Sequence, residues 1–170
     1  MAKTDMMPPT EALTRFKPEL QMILEKAEPE GETRYGFQIG SIGFLLPEKE
    51  IAEIIEQTHP CAIPNTPQWL KGVINVRGNL VPIFDLSSLL GLEESQQSGR
   101  LLVLGQGNKA VGLYIDALPI LVERLEQIDT PPPLPELLTN FVRGMYMHDK
   151  EIWIDLSYDE LFAELGERLV

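Results

Sequence analysis

From residue 34 onward, apolar and polar positions alternate in short runs broken by Gly, Pro, Asn and Asp, the period of half-buried strands. Strands are predicted over residues 35–39 and 42–46 around Gly40-Ser41, over 72–76 and 80–84 around Arg77-Gly78-Asn79, and over 100–104 and 109–115 around the turn 105–108. Residues 118–125 and a hairpin of 141–147 with 151–154 complete the set. Gly and Asn at the turns tolerate positive φ. Pro82 inside the second run of its hairpin predicts an edge strand or a bulge there. The run 49–57 stays open on pattern alone: Ile51 and Ile54-Ile55 fit a helix, whereas Ile51, Glu53 and Ile55 on one face fit a strand.

Helical spacing is found in three places. Residues 10–28 repeat Leu13, Phe16, Leu20 and Ala27 after a Thr10 cap and end at Pro29-Glu30-Gly31. This predicts an N-terminal helical arm over 1–33, packed on the body or free to engage a partner. A short helix follows Asp85, with Asp85 or Ser87 as its cap and Gly91 as its end. Residues 156–169 form a closing amphipathic helix, with Leu161, Phe162, Leu165 and Leu169 on one side. Pro131-Pro132-Pro133-Leu134-Pro135 is a stiff extended connector between strands.

One stretch echoes another. Lys71-Gly72 leads through a hairpin to Asp85-Leu86-Ser87, and Arg143-Gly144 leads through a shorter one to Asp155-Leu156-Ser157. Two similar barrel-like units packed together explain the echo, and closed barrels leave few edges exposed. The alternative is chance similarity between two ordinary hairpins.

Composition narrows the functions. The 170 residues suffice for one ordinary domain or two very small barrels. With 14 Lys and Arg against 26 Asp and Glu, the net charge is −12. Nucleic-acid binding is therefore not expected, nor attraction to an anionic membrane. No apolar run approaches a membrane span. The single cysteine excludes an internal disulfide and suits a reducing compartment. Residues 1–7 lack the apolar core of a signal peptide, so a cytoplasmic location is expected.

Candidate chemistry is sparse. His59 and His148 stand alone without metal-ligand spacing, and Cys61 reads as a small buried filler. Gly105-Gln106-Gly107 lacks the third glycine of a dinucleotide loop and precedes a strand, so it reads as a turn. Asp85 and Asp155 begin helices, where capping is the commoner role, and Asp116 ends a strand. No enzyme activity, metal or cofactor is expected. The distinctive segment is 62–86, with a stiff Pro64/Pro67 entry, Trp69-Leu70 and a tight hairpin with Arg77 at its turn. It is suited to presenting a surface.

That segment resembles the CheW-like family of chemotaxis coupling proteins. The resemblance is carried by Asn65-Thr66-Pro67, Lys71-Gly72, Asn75-Val76-Arg77-Gly78 and Val81-Pro82-Ile83-Phe84-Asp85-Leu86, then by Val111-Gly112-Leu113-Tyr114-Ile115-Asp116 and Gly144 through Leu156. It covers about residues 34–165. It implies a mainly β fold of two five-stranded SH3-like β-barrels, here with an N-terminal and a C-terminal helix, as a CheW-like domain over 34–170. It implies a non-enzymatic adaptor bridging a methyl-accepting chemoreceptor tip and the regulatory domain of a CheA-type histidine kinase, itself of the same fold. The kinase would pair with one barrel, and the receptor hairpin would lie between barrels. Carried over by position, Ile51, Glu53, Gly72, Asn75, Arg77, Gly78 and Asp85 are expected at or near those surfaces, and the run at 49–57 becomes a strand. Phe44-Leu45 stands where the family usually has Tyr-Gly, Pro47 follows, and the N-terminal arm is extra. In these features the chain is similar to the PilI-like branch, which serves type IV pilus (twitching) arrays.

Overall fold

The structure, a computed structural model, describes residues 31–50, 52–56, 59–92 and 100–169. The N-terminal helix expected over 10–28, Ile51 and the polar loop at 93–99 lie outside the described residues.

Among the described residues, ten strands and three helices follow in order: β1 Glu32–Ile39, β2 Ile42–Leu45, β3 Ala52–Ile55, β4 Leu70–Val76, β5 Asn79–Phe84, α1 Leu86–Leu90, β6 Arg100–Leu104, β7 Val111–Ile115, β8 Ile120–Gln127, α2 Glu136–Thr139, β9 Val142–His148, β10 Glu151–Leu156 and α3 Tyr158–Glu167. The ambiguous run 49–57 thus holds a strand at Ala52–Ile55. The turn before β7 contains a 3-10 segment, Gly107–Lys109, and α2 was not foreseen.

The strands form two five-stranded units. Barrel 1 closes in the order β1-β2-β10-β9-β8, and barrel 2 runs β3-β6-β7-β5-β4. Taken from β8, barrel 1 reads β8-β1-β2-β10-β9 and matches barrel 2 strand for strand. The parallel pair falls at the same place in each: β10 beside β2, and β5 beside β7. Register extends the match, with Trp153 opposite Gly43 and Ile83 opposite Gly112. In both, the larger side chain occupies the space a Cβ would need. A Cβ on Gly43 would lie 2.5 Å from the Trp153 ring, and one on Gly112 2.3 Å from Ile83 Cδ1. The echo in the sequence is a structural repeat, and the first two strands of the described chain complete the barrel made by the last three.

The main core lies between the barrels. Phe37, Ile39 and Phe44 of barrel 1 meet Leu102, Leu104 and Leu113 of barrel 2, with Leu161, Phe162 and Leu165 of α3 closing over them. Smaller clusters fill each barrel, around Trp153 in barrel 1 and around Val81 and Ile83 in barrel 2. The shared core couples the barrels, because burying these side chains supplies most of the drive to fold. Tyr158 is buried and its hydroxyl donates to Leu45 O at 2.9 Å; burial pushes its phenol pKa far up. Arg34 ties β1 to β10, donating to both Asp155 carboxylate oxygens at 2.7 and 3.2 Å and to Leu46 O at 2.8 Å.

Three expectations need correction. Asp155 does not begin a helix: it lies within β10 and takes Arg34, and Ser157 precedes α3. Pro82 lies in β5, which pairs on both sides and is not an edge strand, and the irregularity in the β4–β5 pairing falls between Leu70 and Gly72 rather than at Pro82. It is accommodated because it sits opposite Val73, whose backbone groups bond elsewhere, and because pairing with β7 starts only at Ile83. Cys61 is exposed rather than buried, its backbone bridging to Val73.

Candidate functional site

The β4–β5 hairpin turns in two residues, since Val76 pairs with Asn79. Arg77 and Gly78 have φ of +50° and +86°, the pair of positive angles a type I′ turn demands. Asn or Asp usually fills the first position because its short polar side chain can hydrogen-bond locally and offset the crowding of Cβ there. Arg77 occupies it nonetheless. The turn is steadied from below: Asn75 Oδ1 accepts from Gly78 N at 2.8 Å.

Arg77 projects from this turn with its side chain 75% exposed, and its only charged partner among the described residues is Glu53 on β3, at 2.8 Å. That ion pair spans the gap between β3 and β4, the two outer strands of barrel 2, which do not pair among the described residues. A cavity of about 200 Å³ lies beside it, lined in part by Val76, Val81, Val103 and Gln106. An exposed pair of this kind contributes little to stability.

The base of the hairpin is built differently. Gly72 has φ of +131°, and a Cβ there would lie 2.1 Å from Cys61 O. Without a side chain at 72, the segment carrying Cys61 reaches β4 and exchanges two hydrogen bonds with Val73, at 2.8 and 3.0 Å. Asp85 caps α1. Its Oδ1 accepts from Ser87 N at 3.0 Å, Ser88 N at 3.3 Å and the Ser87 hydroxyl, and its Oδ2 from the Ser88 hydroxyl at 2.8 Å. Lys71 Nζ stands 3.2 Å from Oδ2. Burial works to raise the Asp85 pKa, but the Ser87, Ser88 and Lys71 contacts outweigh it and hold the carboxyl below its ordinary range.

The seven residues singled out by sequence therefore divide. Glu53, Asn75, Arg77 and Gly78 meet at the open end of barrel 2. Gly72 and Asp85 sit at the hairpin base; Asp85, only 4% exposed, supports the hairpin rather than presenting itself. Ile51 lies outside the described residues. Sequence reading missed Leu80, next to the turn and 70% exposed, the most exposed of the large apolar side chains described. Its signal was the period-2 pattern: Val81 and Ile83 point inward, so Leu80 and Pro82 point out. Among the described residues no group of three or more His, Cys, Asp and Glu is arranged to hold a metal. The site offers a displaceable cation, an apolar side chain and a strand edge.

Comparison with known proteins places the chain in one family. The CheW-like domain pattern matches residues 35–166. The chain is 33% identical over 137 residues to Protein PilI of Pseudomonas aeruginosa, covering 77% of this chain and 75% of that one. It is 34% identical over 134 residues to the chemotaxis protein CheW of Helicobacter pylori (76% and 80% covered). It is 32% identical over 132 residues to the probable chemotaxis protein CheW of Rhizobium etli (75% and 85% covered). In fold it is similar to the crystal structure of the scaffolding protein TtCheW from Thermoanaerobacter tengcongensis, with a TM-score of 0.63 and 23% identity over 79% of this chain and 92% of that one.

Proposed function

The chain belongs to the CheW-like domain family, and from that premise we propose that it is a non-enzymatic adaptor coupling methyl-accepting chemoreceptors to a CheA-type histidine kinase. Residues 34–170 are the coupling domain on this reading, and 1–33 an accessory arm. The observation that carries it is the open end of barrel 2. A positive-φ position is occupied by an arginine whose only charged partner among the described residues is the half-buried Glu53. Strain retained at a surface turn is commonly explained by function, and here it presents a cation to a partner.

The adaptor acts through geometry. Two barrels joined by one core hold the kinase and receptor surfaces at a fixed spacing, so a receptor state that alters the shared assembly alters the kinase. Such coupling requires different contacts in the two signalling states. The partners are the kinase regulatory domain and the receptor tip; nucleic acid is not among them. No helix among the described residues is long and apolar enough to cross a membrane, and the adaptor reaches membrane arrays from the cytoplasm through its partners. The similarity to Protein PilI and, at 29% identity, to Protein FrzA of Myxococcus xanthus supports a motility system of the type IV pilus (twitching) kind. The similarity to chemotaxis proteins named CheW favours a flagellar or other chemosensory pathway as the second reading.

Co-purification with a kinase fragment containing the regulatory domain, with and without a receptor-tip fragment, tests the proposal. Saturable binding of both is expected. Folded protein that binds neither would reduce it to a small-barrel interaction module without assigned partners.

A further inference from the structure

The chain leaves barrel 1 for barrel 2 through residues 46–50, between β2 and β3. Leu46 is still anchored, its N–H donating to Tyr35 O at 2.8 Å. Beyond it no backbone hydrogen bond among the described residues holds Pro47 to Glu50. These four residues line a cavity of about 400 Å³, whose wall also includes Arg34 and Asp155.

Beside this connector lies an incomplete set of hydrogen bonds. A guanidinium carries five N–H donors in one plane. In Arg34 the edge formed by Nη1 and Nη2 grips Asp155, at 2.7 and 3.2 Å. Nη2 turns its other N–H to Leu46 O at 2.8 Å, along the edge it shares with Nε. Nε is buried and has no acceptor. A buried donor left unpaired costs more than an ordinary hydrogen bond contributes, and more again on a charged group. The carboxylate facing Nε belongs to Glu48, two residues beyond Leu46 on the same connector. Its Oε1 stands 4.0 Å away, outside hydrogen-bond reach. Glu32 lies near the same guanidinium but faces Nη1, at 3.7 Å. Lys49 and Arg143 share the cavity wall, yet Glu48 pairs with neither, and its side chain is largely exposed.

We propose that residues 46–50 form a latch between the barrels: Glu48 moves inward to accept from Arg34 Nε, and the connector closes over the cavity beside it. The carboxylate has about one ångström to travel to reach the length of a charge-assisted bond. Leu46 O and Glu48 then fill one edge of the guanidinium as Asp155 fills another. An outside anion is the poorer occupant, because Nε is sealed from solvent and carboxylates outnumber basic groups along the cavity wall. The connector leads on to β3. Closing the latch therefore ties the entry to barrel 2 onto β1 and β10 of barrel 1, a tie separate from the core that the barrels share.

NMR of the Arg34 Nε–Hε group in the full chain tests this, with wild type, Glu48→Ala and Glu32→Ala compared. Neither Glu48 nor Glu32 is buried, so both variants should fold. The Hε proton should exchange at least about tenfold faster in Glu48→Ala than in the wild type, since a bond to a charged donor is lost. The order parameters of the Glu48, Lys49 and Glu50 amides should fall from about 0.85 toward about 0.6. Glu32→Ala should change neither quantity. Equal Hε exchange with and without the Glu48 carboxylate overturns the latch. So does an equal response to Glu32→Ala, which would make the effect one of general charge. Connector order parameters that stay unchanged in Glu48→Ala overturn the closure. None of these readings involves a partner, so they stand or fall apart from the adaptor proposal.

Discussion

Replacing Gly72 with alanine should detach the segment that carries Cys61 from β4. An ideal Cβ at 72 would stand 2.1 Å from Cys61 O and 2.6 Å from Cys61 C, both main-chain atoms with no side-chain freedom to yield. The segment must then move by roughly an ångström to restore normal contact, which breaks its two hydrogen bonds to Val73. Losing them costs about 1 kcal/mol each. Holding a non-glycine residue at φ of +131° adds about 1–3 kcal/mol. The expected destabilisation is therefore about 3–5 kcal/mol, against a typical total of about 5–15 kcal/mol. Urea unfolding followed by the fluorescence of the two tryptophans, Trp69 and Trp153, gives the change from the shift in midpoint. A loss under about 1 kcal/mol with an unchanged slope would refute the argument that Gly72 is required by the close approach of Cys61.

Three further outcomes follow from the same geometry. Arg77→Asn places a residue suited to the first position of a type I′ turn, so thermal stability should hold or rise while binding of kinase and receptor fragments falls; full binding by a folded variant would remove Arg77 from the interface. Gly43→Ala drives a methyl into the Trp153 ring, 2.5 Å away, and should cost about 1–3 kcal/mol in a denaturant titration, with a red shift of the Trp153 emission if the ring is displaced. Asp85 is ionised more readily in the folded chain than in the unfolded one, so its contribution is present above the ordinary carboxylate pKa of about 3.9 and is lost as pH falls through its lowered folded value. Asp85→Asn should accordingly be less stable near neutrality and approach the wild type on acidification, and a stability gap that stays constant down to pH 2 would contradict the capping account.

Much of the fold was legible because strands half-buried against a core keep period 2. The pairs 35–39 with 42–46 and 100–104 with 109–115 were recoverable from alternation and Gly-rich turns alone. The cap of α1 was also readable, since Asp85 precedes Ser87-Ser88 and Gly91 ends the turn. Pro82 misled because sequence cannot show which side of a strand a missing N–H faces. Cys61 misled because a cysteine is usually buried, whereas here its backbone, not its side chain, makes the contact. Of the site, Arg77 and Gly78 were legible as a turn, whereas Asn75 read as a strand residue and entered only through the resemblance. Glu53 came to them only through the pairing of β3 with β6 across a long sequence separation.

The most direct test of the adaptor account is kinase autophosphorylation in reconstituted receptor–kinase mixtures, with and without this chain. The account predicts that receptor control of the kinase appears only when the chain is present, and is lost with Arg77→Asn at equal protein levels. Receptor control that is the same without the chain, or a chain that binds each partner but never both together, would contradict it.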